Sequence, residues 1–115
     1  MRLILCAALI AGPALAGDVE IVDAKARQSG DTWSFDVTLR HGDTGWDHYA
    51  DAWRVVGPDG TVYGTRTLYH PHVEEQPFTR SLSGVKVPEG VTELRIEAHD
   101  KVHGWAEAGF ALTLP

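Results

Sequence analysis

Histidine and carboxylate side chains that could bind a metal ion occur in three separate stretches of the chain. They are HGDTGWDHY at residues 41–49, LYHPHVEE at 68–75 and HDKVHGW at 99–105. Neutral imidazole binds Zn²⁺, Cu²⁺, Ni²⁺ or Fe²⁺, and a carboxylate can complete the coordination or orient a histidine ring. The His-Pro-His spacing in the second stretch suits this role, because proline stiffens the pair.

These residues predict a site for one divalent metal ion, Zn²⁺, Cu²⁺ or iron. His41, at a strand end, and His99, on an outward face, are expected to have structural roles instead. Asp51 is an alternative to Asp100 as the acidic ligand. The predicted ligands are His48, His70, His72, His103 and Asp100.

A second interpretation of the same stretches is a recognition surface. Aromatic and acidic groups on neighbouring loops can hold a peptide, a small cationic ligand or a protein partner, and protonation of the histidines would modulate that contact. The same aromatic residues could instead cover the end of the core. Asp51 lies two residues before Trp53 in the same strand, so it is expected to face inward as Trp53 does. The candidate ligand-binding residues are Trp46, Tyr49, Asp51, Tyr69 and Trp105.

The first sixteen residues, MRLILCAALIAGPALA, have the features of a secretory signal peptide with an Ala-Leu-Ala cleavage site. The apolar run is shorter than the roughly 20 residues that span a bilayer. Cys6 lies inside this run rather than at its end, so it is interpreted as part of the signal peptide and not as a lipid anchor. The predicted product is residues 17–115, periplasmic or secreted, with no membrane anchor.

The net charge of the chain limits its partners. The full sequence carries a formal charge of −6, and loss of residues 1–16, which contain one arginine and no acidic residue, makes it −7. Nucleic acid and anionic membranes are unfavourable partners for such a chain. The same cleavage removes the only cysteine and methionine, which leaves nitrogen and oxygen donors for any metal and no disulfide for the fold.

Alternation of apolar and polar residues, interrupted by turn residues, recurs along residues 17–115 and predicts an all-β domain. Seven short strands at regular spacing are typical of an immunoglobulin-like or fibronectin-III-like sandwich, with a jelly roll or small barrel as alternatives. A bulge is expected at Ser83-Gly84, where the alternation slips. The predicted strands span 18–28, 32–40, 48–56, 61–69, 79–87, 91–100 and 108–115.

In such a sandwich the connections alternate between the two ends. Three connections at one end are tight polar turns without histidine, namely QSGD, GPDG and VPEG. The connections at the other end, after the second, fourth and sixth strands, hold or border all six histidines. Loops on a rigid scaffold often carry function, so this end is the predicted site for a metal ion or partner.

The stretches DHYADAW and DKVHGWAE resemble superoxide reductases of the desulfoferrodoxin and neelaredoxin type. His48 and Tyr49 are similar to the first motif of that family, and His103 and Gly104 to the second. The resemblance implies an immunoglobulin-like sandwich with an iron site of four histidines and one cysteine. Asp100 stands where the family has its cysteine, so the resemblance implies metal binding rather than superoxide reduction.

Other catalytic chemistry has little support in the sequence. The serines lie in predicted strands or in a turn at the end without histidine, and the chain has no glycine-rich phosphate loop. Two functions therefore remain open: an exported binding or accessory module without metal, and a divalent-metal-binding protein with a redox role as its extension.

Overall fold

The computed structural model describes residues 18–115, and the predicted signal peptide lies outside the described residues. Residues 18–115 form two antiparallel sheets, which confirms the prediction of an all-β domain. They contain no helix with the length and apolar character needed to cross a membrane. The strands are β1 (Glu20–Ser29), β2 (Thr32–Arg40), β3 (Ala50–Val56), β4 (Val62–Thr67), β5 (Phe78–Val85), β6 (Glu93–Asp100), β7 (Gly104–Trp105) and β8 (Phe110–Thr113).

The two sheets enclose one hydrophobic core. One sheet has the order β1-β2-β5, and the other has the order β4-β3-β6, with β7 and β8 both paired to β6. Alternation within the strands supplies the core, because every second side chain points to the same face. The largest fully buried apolar side chains are Trp53, Phe35, Leu39, Ile96, Val37 and Val55.

The predicted bulge in β5 is confirmed. Trp33 pairs with Val85 and Phe35 pairs with Leu82, so β5 contains one residue more than β2 over this interval. Gly84 adopts a φ of +71° there, a conformation that glycine accepts at little cost. The bulge restores the inward alternation on both sides of it.

The number of strands differs from the prediction of seven. The two-residue strand β7 lies inside the segment predicted as a loop, where His99 pairs with Trp105 and Asp100 with Gly104. Gly104 has a φ of +80°, which permits the chain to reverse immediately after β6. This short hairpin bends the chain around the Asp100 side chain.

The β2–β3 loop contacts both of the other histidine-bearing connections. The backbone N–H of Lys101 donates to the carbonyl of Tyr49, which joins the β6–β7 turn to the β2–β3 loop. The backbone N–H of His72 donates to Asp43 Oδ2 at 2.7 Å, which joins the β4–β5 loop to the same β2–β3 loop. The end of the sandwich where these loops meet is called the loop end below.

Candidate metal centre

Asp100 is the central side chain of the loop end. It is fully buried, because it continues the inward alternation of Leu94, Ile96 and Ala98 along β6. The backbone N–H groups of Val102 and His103 donate to its Oδ1 at 2.9 and 2.8 Å. These bonds form the turn between β6 and β7, so the carboxylate is held rigidly where the strand ends.

The charge of Asp100 is retained despite its burial. Burial raises the pKa of this carboxyl, but the hydrogen bonds from the backbone of His103 and Val102 and from the His103 ring oppose it, and the pKa is lowered overall. A buried carboxylate that stays ionised requires compensating positive charge or donors. A cation beside its free side would provide such compensation.

Two imidazole rings face the buried carboxylate. His48 Nε2 lies 3.1 Å from Asp100 Oδ1, and His41 Nε2 lies 3.9 Å from Asp100 Oδ2. The two rings meet edge to face with their centroids 4.7 Å apart. One ligand atom from each of His41, His48 and Asp100 lies within 4.8 Å of the others, so the three donors converge on one small volume.

The contact between His48 and Asp100 is not a hydrogen bond. His48 Nε2 is buried and has no hydrogen-bond partner among the described residues, although the Asp100 oxygen is close. Two ligands about 2.0–2.1 Å from one Zn²⁺ ion in a tetrahedral site lie about 3.3 Å apart. The distances of 3.1 and 3.9 Å bracket that value, so this spacing suits a shared metal ion.

Asp43 orients the His41 ring from the side opposite Asp100. Its Oδ1 lies 2.6 Å from His41 Nδ1, and it accepts hydrogen bonds from the backbone N–H groups of Ala50 and His72. Burial raises the pKa of the Asp43 carboxyl, whereas the His41 ring and these two N–H groups lower it, with a net decrease. A carboxylate bound to one ring nitrogen directs the other nitrogen to a metal ion in many metal sites.

His103 completes the imidazole group around Asp100. Its Nδ1 lies 3.1 and 3.2 Å from the two Asp100 oxygens, and its ring centroid is 5.1 Å from that of His48. Its side chain is 38% exposed, whereas that of His41 is fully buried. His41, His48, Asp100 and His103 are called the Asp100 cluster below.

The remaining predicted metal ligands, His70 and His72, lie outside the Asp100 cluster. His72 is buried with its ring stacked on Phe78 at 4.0 Å between centroids, and its Nε2 lies 2.8 Å from an Arg80 guanidinium nitrogen. Burial, together with the charges of Arg80 and His70, lowers the pKa of His72. His70 is exposed beside it. These two histidines with Arg80 are called the His72 corner below.

The predicted ligand-binding aromatic residues are spread over several environments. Trp46 and Tyr69 are 66% and 76% exposed at the loop end. Tyr49 is buried, with Trp46 against it at 5.9 Å and the Lys101 ammonium 5.9 Å from its ring. Trp105 lies on β7, where the Arg54 guanidinium stacks on its ring at 3.7 Å.

The expectation that Asp51 faces inward is wrong. Ala50 pairs with Asp100 and Ala52 with His99, so Asp51 is the additional residue of a bulge in β3. The bulge shifts the alternation, and Asp51 Oδ1 instead contacts His99 Nδ1 at 2.5 Å. This pair lies beside Trp105 rather than in the Asp100 cluster, since the His99 and Trp105 rings are 4.8 Å apart.

Sequence reasoning left His41 and Asp43 out of the predicted metal site, although the alternation of β2 leads to both of them. The inward residues of β2 continue in steps of two from Leu39 to His41, which is 3% exposed. The sequence prediction gave His41 a structural role at a strand end, and the structure places its buried ring between Asp43 and Asp100. The same steps of two lead from His41 to Asp43, which is 5% exposed, but only the folded loop shows that its carboxylate contacts His41, Ala50 and His72.

Comparison with known proteins gives one informative relative. The chain is 40% identical over 89 residues to a protein of Halomicrobium mukohataei described as a putative lipoprotein, and the match covers 76% of this chain. It covers 43% of the relative, so the chain spans less than half the length of that protein. No protein-family model matches, no solved structure matches, and the resemblance to superoxide reductases gains no support.

Proposed function

We propose that the protein binds one divalent transition-metal ion at the loop end, with His41, His48 and Asp100 as the inner ligands. The single observation that carries this proposal is the buried His48 Nε2, which has no hydrogen-bond partner among the described residues and lies 3.1 Å from a buried carboxylate oxygen. A buried polar atom without a partner costs about 1–3 kcal/mol. Coordination of an ion would remove that cost.

The donor set favours a particular class of ion. Two imidazole nitrogens and one carboxylate oxygen suit Zn²⁺, Cu²⁺, Ni²⁺, Co²⁺ or Fe²⁺. Ca²⁺ and Mg²⁺ prefer an all-oxygen shell, which this cluster does not supply. Asp43 would act indirectly, by holding the His41 ring so that its Nε2 faces Asp100.

The test is a titration of the purified protein with each of these ions. We expect tight one-to-one binding to the wild-type protein and its loss in Asp100→Asn, while Asp47→Asn, which changes an exposed carboxylate at the same end, binds as the wild type does. Circular dichroism checks the fold of Asp100→Asn, because Asp100 also holds the β6–β7 turn.

A second readout needs no substitution. In wild-type protein, addition of Zn²⁺ should shift the imidazole NMR signals of His41 and His48 and leave those of His70 and His72 nearly unchanged. At an ion concentration of about 100 times Kd, binding stabilises the fold by about 2.7 kcal/mol, or at least about 10 °C in Tm for a domain of this size. Weak binding, or shifts confined to His70, would refute the metal site.

The proposed setting is an exported domain with an immunoglobulin-like or fibronectin-III-like sandwich. The strand orders β1-β2-β5 and β4-β3-β6-β8 support this fold, since they match a three-stranded sheet packed on a four-stranded one in that class. Residues 1–16 resemble a signal peptide, and the name of the Halomicrobium relative is that of an exported type of protein. Detection of the protein in the periplasm or medium, processed after Ala16, would test this proposal.

A second candidate function is partner binding at the loop end without a metal ion. The observation that favours it is the concentration of exposed large apolar residues on the loops around the Asp100 cluster, namely Trp46, Tyr69, Val73 and Val102. Exposed apolar groups of this kind mark interaction sites when they are contiguous. Retention of a partner by metal-free wild-type protein, and its loss in Trp46→Ser with Tyr69→Ser, would support this alternative.

A further inference from the structure

A second group of possible ligand atoms shares Asp100 with the proposed site. One ligand atom from each of Asp18, Asp100 and His103 lies within 4.8 Å of the others. Asp18 and His103 are exposed, whereas Asp100 is fully buried. The carboxylate of Asp100 is therefore shared by a buried pair of donors, His41 and His48, and an exposed pair, Asp18 and His103.

The fold holds Asp18 in this place through its neighbours. Val19 is 4% exposed and belongs to the core, so the backbone next to Asp18 is anchored. Glu20 pairs with Arg40 as the first pair of the β1–β2 ladder, which brings the start of the domain beside the residue that precedes His41. Asp18 is thus held at the loop end by the start of a strand and not by a long loop.

We propose that Asp18 is a ligand of the metal ion bound by the Asp100 cluster, and that it closes the exposed side of the site together with His103. This inference rests on the proposed metal-binding function. The buried donors His41, His48 and Asp100 form the preorganised half of the site, and the exposed donors move by a small distance to complete the coordination. Five such donors of nitrogen and oxygen suit Zn²⁺, Co²⁺ or Fe²⁺.

The position of Asp18 gives metal binding a structural consequence. Because Asp18 lies two residues before β1, its coordination would fix the start of this strand to the β6–β7 turn. Ordering of an exposed side chain costs conformational entropy, so Asp18 should contribute less to affinity than a buried ligand does. The metal ion would then link the N-terminal segment to the loop end.

The experiment compares two carboxylates at the same end of β1, in protein purified from cells that express the full 115-residue chain. Asp18→Asn removes the proposed ligand, and Glu20→Gln is the matched control, an exposed carboxylate two residues away. We expect Asp18→Asn to weaken Zn²⁺ binding about tenfold, to alter the d–d absorption of bound Co²⁺, and to leave metal-free stability unchanged. Glu20→Gln should change neither affinity nor the Co²⁺ spectrum.

A readout on unmodified protein complements the variants. Saturation with Zn²⁺ should shift the backbone amide signals of Asp18 and Val19 as strongly as those of Val102 and His103. If wild-type protein binds the ion but Asp18→Asn matches it in affinity and Co²⁺ spectrum, the role of Asp18 is refuted and the three-donor site stands. Equal weakening by Glu20→Gln, or binding of two ions per chain, would also overturn the inference. Absence of binding by wild-type protein would instead refute the proposed function itself.

Discussion

The Asp100 cluster and the His72 corner lie at the same end of the molecule and have opposite electrostatic designs. In the Asp100 cluster, imidazole nitrogens face a buried carboxylate. In the His72 corner, His72 Nε2 lies 2.8 Å from the Arg80 guanidinium, which carries a permanent positive charge. A cation is therefore attracted to the first group and repelled from the second.

The two groups also differ in what fixes their rings. A buried carboxylate, Asp43, holds His41 by its Nδ1 and leaves Nε2 directed at Asp100. His72 is held by stacking on Phe78, and its backbone N–H rather than its ring contacts Asp43. His72 thus supports the β2–β3 loop and contributes to the centre only indirectly. The number of histidines at one end of a fold is consequently a weaker indicator of a metal site than the group that each ring nitrogen faces.

The largest expected difference between the two groups is in metal affinity. We expect His48→Gln to weaken Zn²⁺ binding by at least about a hundredfold, because it removes one of the three inner donors. His70→Gln, which changes an exposed histidine of the His72 corner, should alter Kd by less than about twofold. Competition against a chromophoric chelator measures both constants. A greater loss in His70→Gln than in His48→Gln would reverse the assignment of the two groups.

A smaller effect is expected from Asp43, which contacts both groups. Asp43→Asn should weaken Zn²⁺ binding about 10–100-fold, since it removes the carboxylate that orients His41. It should also destabilise the metal-free protein by about 1–3 kcal/mol, because the carboxylate accepts hydrogen bonds from Ala50 and His72. Urea unfolding in the presence of EDTA separates this second effect from the first.

Asp47→Asn is the control for Asp43→Asn, because Asp47 is an exposed carboxylate in the same β2–β3 loop. It should change neither the Zn²⁺ affinity nor the urea midpoint. If Asp43→Asn lowers stability but leaves the affinity unchanged, Asp43 only supports the loop, and the orientation of His41 does not depend on it.

Alternation in the sequence was sufficient to predict most of the fold, and it also indicates which side chains enter the centre. The inward-facing residues of β2 lead in steps of two to His41, and those of β6 lead to Asp100. The two strands therefore place an imidazole and a carboxylate at the same end of the core. The bulge at Ser83-Gly84 was likewise visible as a slip in the apolar pattern. These features are local, and each depends only on residues two positions apart.

The features that the sequence could not supply depend on contacts between distant segments. Arg80 lies on β5, eight residues after His72, and its guanidinium adds a positive charge beside the His72 ring.

 The bulge at Asp51 is invisible in the sequence, because the pattern Ala-Asp-Ala-Trp is equally compatible with an unbroken strand. Asp43 reaches His41, Ala50 and His72 only after three segments have met. Contacts of this kind are set by the tertiary fold and have no periodic signature.

The smallest expected effect is a pH dependence of stability that arises from His72. Burial, with the positive charges of Arg80 and His70, lowers the pKa of His72 below the ordinary histidine value of about 6.5. The unfolded chain therefore takes up a proton at a higher pH than the folded protein does, so metal-free stability should fall as the pH decreases through about 6.5 towards the folded-state pKa. Urea unfolding in EDTA at pH 7.5 and pH 5.5 measures this change, and His72→Gln should reduce it.

The Arg80→Met variant tests the cause: it should also reduce the change, because it removes one of the charges that oppose protonation of His72. If neither variant alters the pH dependence, the groups that titrate in this range lie outside the His72 corner.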